Sequence, residues 1–205
     1  MNKENLKWLG AGLGCFILFL LVVKLLFERK VARYQNACEK AFGRLDQTQK
    51  DSIAQIIRAF DRYGDKDKNK LVYILATARH ESNFRPIRER RAKPSQTEVY
   101  QDQNAYWYTG YYGRGFVQLT WKRNYAKMSR FLGIDLVGHP DLALNPKYAA
   151  RILVYGMIQG SFTRKALGDY INAQEQDYYY ARRSVNGTDR AALIQGYTFQ
   201  IFENL

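Results

Sequence analysis

Residues Leu6 to Phe27 read LKWLGAGLGCFILFLLVVKLLF, a nearly unbroken apolar run near the start of a 205-residue chain. At about 1.5 Å of rise per residue such a run reaches roughly 33 Å as a helix, the thickness of a bilayer's hydrocarbon core. Trp8 stands where an interfacial aromatic would, and Lys24 lies one turn from the far end, where its ammonium can snorkel outward. No small-residue cleavage site follows. The run therefore predicts one transmembrane helix, residues 1–30, rather than a removed signal peptide. Lys24, Arg29, Lys30 and Arg33 behind the run outnumber Lys3 and Lys7 before it. That charge bias points the rest of the chain toward the cytoplasm.

The remainder suffices for one globular domain with a core of its own. Net charge is +13, and the first 27 residues carry only Lys3, Lys7 and Lys24 against Glu4. The excess thus belongs to the part after the apolar run and implies a polyanionic partner: nucleic acid, acidic headgroups or an anionic cell wall. The basic residues are dispersed and no nucleic-acid motif is present, so nucleic acid is not expected. Cys15 lies inside the apolar run and Cys38 outside it, which predicts no disulfide between them. His80 and His139 lack neighbouring ligand pairs, so no zinc site is expected. The segment Gly64 to Lys70 has Asp65, Asp67 and Asn69 at calcium-loop spacing. Its sixth position is Lys70 and its twelfth Ala76, where glycine and glutamate are required.

Helices are expected over Val31–Phe42, Asp46–Tyr63, Leu71–Phe84, Trp121–Leu132, Ala149–Gly160 and Thr188–Phe202. The second carries Ile53, Ile56, Ile57 and Phe60 as one stripe, and Thr188 is a suitable N-cap for the last. Arg85 to Thr109 has no periodicity and reads as a long loop, a common carrier of function. The organisation expected is an anchor at 1–30, helices at 31–70 and a mainly α-helical domain at 71–205.

Glu81 lies at the end of an apolar helix, on a face with Ala78, Thr77 and Ile74. Desolvation and the negative helix terminus both favour a protonated carboxyl, as a general acid requires. By itself it is as readily a helix-end glutamate paired with Arg85 or His80. Inverting hydrolysis of a glycoside needs a second carboxylate across a cleft. Pro86 breaks the helix, so Glu89, or Glu98 on the same loop, is placed to serve.

The segments ATARHES (76–82), PIRE (86–89) and YYGRGFVQLTWKRNY (111–125) together resemble the core of family 19 glycoside hydrolases, the chitinase-like members of the lysozyme-like superfamily, and phage cell-wall endolysins. The likeness continues through HPDLALNP (139–146), AARILVYGM (149–157) and ARRSVNGTDRAALIQGY (181–197). ARHESNFRP is also similar to the glutamate motif of lytic transglycosylases. Gly-Phe-Val-Gln at 115–118 replaces their Gly-Leu-Met-Gln and favours family 19. The resemblance implies a lysozyme-like helical domain with long loops around a cleft, Glu81 as acid and Glu89 as base. It also implies Gln118 and Asn124 as sugar-chain ligands, and Thr120 as a hydroxyl holding the attacking water. Tyr112 and Tyr125 become cleft residues, Asn186 the asparagine of an Asn-Gly motif, and Arg190 a support for the carboxylates. No cofactor is implied. The substrate implied is peptidoglycan or chitin, cleaved by a monomer tethered to the membrane on its periplasmic or extracellular side, opposite to the charge bias. The alternative is an inactive glycan-binding or scaffold protein of the same fold. Departures are the short span between Glu81 and Glu89, the missing cysteines of plant chitinases, and the segment Arg90–Tyr108, which has no counterpart.

Overall fold

The computed structural model describes residues 3–205, with side chains from Phe16 onward. Helix α1 runs from Lys3 to Phe42 without interruption. The sequence reading separates an anchor at 1–30 from a short helix at Val31–Phe42, but the junction Phe27–Val31 contains neither glycine nor proline. Lys24 also pairs with Glu28 one turn on, at 3.7 Å, so nothing stops the helix there. Its second half buries Val31, Tyr34, Ala37 and Cys38, a three-and-four spacing that lays one stripe on the domain. Burial pushes the Cys38 thiol up to about 12. Its first half is different. The large hydrophobic side chains from Phe16 to Leu26 are all 46–63% exposed. Among the described residues no helix is long and apolar enough to cross a membrane. The part of the predicted span before Phe16, with Trp8 and Cys15, lies outside the described side chains.

Helix α2 (Gln47–Tyr63) starts at a capping box in which the Asp46 carboxylate accepts from the Gln49 backbone N–H and the Gln49 side chain accepts from Asp46 N. Its predicted stripe of Ile53, Ile56, Ile57 and Phe60 is buried. Helix α3 (Lys68–Ser82) begins earlier than the apolar pattern suggests, because Asp67 caps it by accepting from Asn69 N at 2.9 Å. Asp65 pairs with Lys70, so the acidic run that mimics a calcium loop starts a helix instead. From Leu71 to Ala78 every residue of α3 is buried. It is the axle of the domain.

Helix α6 (Pro146–Ile158) packs chiefly on α2, and α7 (Ala191–Glu203) on α3. Asn145 caps α6 and Pro146 fills its first position, where a missing N–H costs nothing. The expected cap of α7, Thr188, supplies only its carbonyl, to Ala191 N at 3.1 Å. The helix starts instead after Arg190, whose φ is 58°. Residues of α1, α2, α3, α6 and α7 share one core that also takes in Phe84, Phe116 and Leu119.

The stretch predicted as a loop, Arg85–Thr109, contains α4 (Thr97–Asn104) and a short 3-10 turn at Trp107–Thr109. Helix α4 buries only Gln103, so it has no apolar stripe for a sequence to display. Helix α5 (Lys122–Leu132) follows. Two short strands, β1 (Ile87–Arg88) and β2 (Arg114–Gly115), pair antiparallel with Ile87 opposite Gly115. This ribbon brings the segment after Glu81 against the segment before Gln118. The architecture is mainly α-helical, as the sequence predicts.

Candidate active site

Helix α3 ends at Ser82 because Asn83 and Phe84 both adopt left-handed backbone, with φ of 51° and 58°. Two such residues in succession turn the chain sharply before Pro86 is reached. Phe84 is fully buried, and its packing holds a conformation that a bulky side chain disfavours. Glu81 is thereby left one residue short of the helix end, with a side chain 17% exposed.

Glu81 pairs with neither partner suggested by the sequence. Arg85 pairs with Asp46. The Glu81 carboxylate instead accepts, through Oε1, from the guanidinium of Arg182. Arg182 is buried, and its Nε donates to the Asp189 carbonyl at 3.0 Å. Among the described residues Oε2 of Glu81 has no hydrogen-bond partner. Beside it His80 is shifted down, first by burial, against the Glu81 charge that works upward.

Glu89 stands at the end of β1. Its Oε1 accepts from Gln103 Nε2 at 2.8 Å and from Tyr106 Oη at 2.7 Å, and its Oε2 accepts from Gly113 N at 2.7 Å. Three donors on one carboxylate fix its orientation. Tyr106 is shifted well upward, by burial and by the carboxylate it donates to. Glu98, the alternative base, is exposed on the first turn of α4.

Gly113 has no room for a side chain. A Cβ there would lie 2.8 Å from Gln118 Oε1 and 3.1 Å from Glu89 Oε2. Gly113→Ala is therefore expected to push both side chains aside. Displacements of about 1 Å near reacting atoms cost up to roughly 100-fold in rate. Turnover measured beside a melting curve checks this, and an alanine variant with unchanged rate would show that Gln118 and Glu89 yield without consequence.

Gln118 donates to the carbonyls of Ile87 at 3.1 Å and Gly115 at 3.0 Å, clamping β1 to β2. Thr120 Oγ1 donates to the Gln118 carbonyl and Asn124 Nδ2 to the Thr120 carbonyl, at 2.9 and 2.8 Å. Gln118, Thr120 and Asn124 line one small concavity with Phe162 and Val185. These three predicted ligands therefore lie together.

Tyr112 and Tyr125 play different parts. Tyr112 stacks on Trp107 with ring centroids 4.5 Å apart, leaving it half-buried. Tyr125, expected in the cleft, is fully buried. Its hydroxyl donates to the Tyr112 carbonyl at 2.8 Å and accepts from Arg114 at 3.0 Å, so it positions Tyr112 rather than meeting a ligand. Burial, against the Arg114 charge, pushes that hydroxyl up to about 12. Arg114 is the strut of this region, binding Asp141 Oδ1 at 2.8 Å and the Gly110 carbonyl at 3.0 Å.

Arg190, expected to support the carboxylates, is exposed, and its nearest acid is Asp189 at 4.0 Å. The supporting guanidinium is that of Arg182. Asn186 is exposed too, its side-chain oxygen accepting from Gly187 N at 2.9 Å. The sequence reading misses Arg182, Gln103, Tyr106 and Gly113. A buried arginine gives no signal in a segment that reads ARRSVNG, and Gln103 and Tyr106 lie in the stretch with no apolar period.

Residues 21–155 match the family described as "Chitinase class I", glycoside hydrolase family 19. That match begins well before the segments quoted above and stops short of Ala181–Tyr197. An endochitinase of Arabidopsis thaliana is 35% identical over 97 residues, 45% of this chain and 33% of that protein. The chain thus spans about a third of the length of that relative. An inactive chitinase-like protein of Hevea brasiliensis is 32% identical over 65 residues, 31% of this chain and 21% of its own. Among solved structures, chitinase C from Streptomyces griseus superposes with a TM-score of 0.60 at 18% identity, over 83% of this chain and 90% of that one. A bacterial family 19 chitinase superposes with a TM-score of 0.51, also at 18% identity, over 82% and 93%. At that identity the superpositions speak for the fold.

Proposed function

We propose, starting from the fact that this chain belongs to the class I chitinases of glycoside hydrolase family 19, that it hydrolyses β-1,4 linkages between N-acetylated amino sugars with inversion. The observation that carries this reading is the contrast between its two carboxylates. Glu89 is held in one orientation by three donors, as the base that activates water. Glu81 keeps one oxygen free of protein partners at the end of a buried helix, as the group that protonates the leaving oxygen. Both roles match the division of labour between acid and base in inverting glycosidases. The concavity of Gln118, Thr120 and Asn124 supplies amide and hydroxyl groups for an acetamido sugar. Two carboxylates and a water suffice, so no cofactor is required.

The sugar polymer is peptidoglycan or chitin. The endochitinase relatives argue for chitin, and a net charge of +13 argues for an anionic wall. The test sets turbidity clearing of peptidoglycan beside product release from chitin oligomers, both with the full chain. Cleavage of either, with the anomer inverted, supports the reading. Binding of both without cleavage favours a glycan-binding protein, the reading prompted by the inactive Hevea relative.

The exposed sleeve from Phe16 to Leu26 supports a second element of the reading. It continues the apolar run that opens at Leu6, and we read the two together as a single-pass anchor. The catalytic domain then belongs on the periplasmic or extracellular side, where either polymer lies.

A further inference from the structure

We propose that the surface formed by the C-terminal half of α2 and the start of α6 is a binding face for anionic phospholipid headgroups; this rests on the reading of α1 as a membrane anchor. Arg58, Arg62, Lys147 and Arg151 surround one groove of about 310 Å³, with Gln55 and Tyr63 between them. No carboxylate lines it. Among the described residues none of these four cations forms an ion pair. Their neighbours behave otherwise: Lys30 pairs with Asp61, and Lys24 with Glu28. Four like charges around one hollow repel one another, and salt screens such charges only beyond about 8 Å. The repulsion is built in, because α2 and α6 make the most extensive helix packing of the domain. An anion entering the groove relieves it.

The position of the groove selects the anion. The Arg58 guanidinium sits 4.9 Å above the Phe27 ring. Arg58 also lines an adjoining groove with Lys24, Phe27 and Glu28. Phe27 directly follows the exposed apolar sleeve, so the cationic face begins where the sleeve ends. With the sleeve among acyl chains, these cations meet the layer of headgroup phosphates. A soluble polyanion accounts for the charges and not for the sleeve. An apolar protein partner accounts for the sleeve and not for the charges. A bilayer containing anionic lipid accounts for both.

The experiment uses the full chain with vesicles of phosphatidylcholine, alone or mixed with a minor fraction of phosphatidylglycerol. Flotation with neutral vesicles reads the anchor. Native mass spectrometry of the chain released from the mixed bilayer then reads which lipids remain bound. The expected result is enrichment of phosphatidylglycerol by about fivefold or more over the bulk mixture. It should be lost in Arg62→Gln/Lys147→Gln and kept in Arg44→Gln/Lys165→Gln, which removes equal charge elsewhere. Flotation without enrichment, or enrichment that survives Arg62→Gln/Lys147→Gln, overturns the headgroup face and leaves the anchor standing. Failure to float with neutral vesicles overturns the anchor and this proposal with it.

Discussion

Glu81→Gln is expected to lower hydrolysis by about 10²–10⁴-fold, the range that a positioned general acid contributes. The amide keeps the shape of the side chain and can still accept from Arg182, so the fold should persist, at a stability lowered by the buried guanidinium left without a counter-charge. The loss should fall on kcat, because the proton is delivered in the transition state and not in the ground-state complex. Initial rates over a range of substrate, read beside circular dichroism, separate these effects. A folded Glu81→Gln variant with wild-type turnover would remove Glu81 from the role proposed here.

Arg182→Ala should have the largest effect on stability. Arg182 is 3% exposed and touches both the Glu81 carboxylate and the Asp189 carbonyl. Removing it strands a mostly buried carboxylate and orphans a carbonyl. Breaking one half of a buried ion pair costs about 3–5 kcal/mol. At roughly 2–4 °C per kcal/mol for a chain of this size, the melting temperature should fall by about 6 °C or more. The cost belongs to the uncompensated charge and not to lost attraction alone. Arg182→Ala/Glu81→Ala should therefore lose less than the sum of its single variants. Strict additivity in a thermal double-mutant cycle would show that the two side chains do not interact.

The fold is legible where burial leaves an apolar mark. The Ile53–Phe60 stripe carries a periodic imprint and α3 an unbroken apolar length, and both helices are found where those marks lie. Helix α4 was illegible because it buries one glutamine, and a helix without an apolar face leaves no period. The continuity of α1 was missed for another reason. A change from lipid-like to amphipathic sequence marks a change of surroundings, not a change of backbone. At the candidate site, motif residues such as Gln118, Thr120 and Asn124 were readable and lie together. Their supports were not. Arg182 reaches Glu81 across 101 positions of chain, and Gln103 and Tyr106 reach Glu89 from a segment with no counterpart in the quoted motifs. Tyr125 shows the converse. A tyrosine in the right motif reads as a ligand group, yet its whole ring is buried and its hydroxyl holds the Tyr112 carbonyl and Arg114.

The unbroken course of α1 has a mechanical consequence. A hinged tether would let a domain swing and sample orientations, but the helix that buries Val31 to Cys38 in the core continues unbroken through the exposed stretch from Leu26 back to Phe16. Whatever grips the exposed end therefore sets the height and heading of the cleft together. One residue inserted between Phe27 and Val31 would raise the domain by about 1.5 Å and swivel it by roughly 100°. The rod thus acts as a ruler and a compass at once, and its length in residues sets how far from that grip the domain stands.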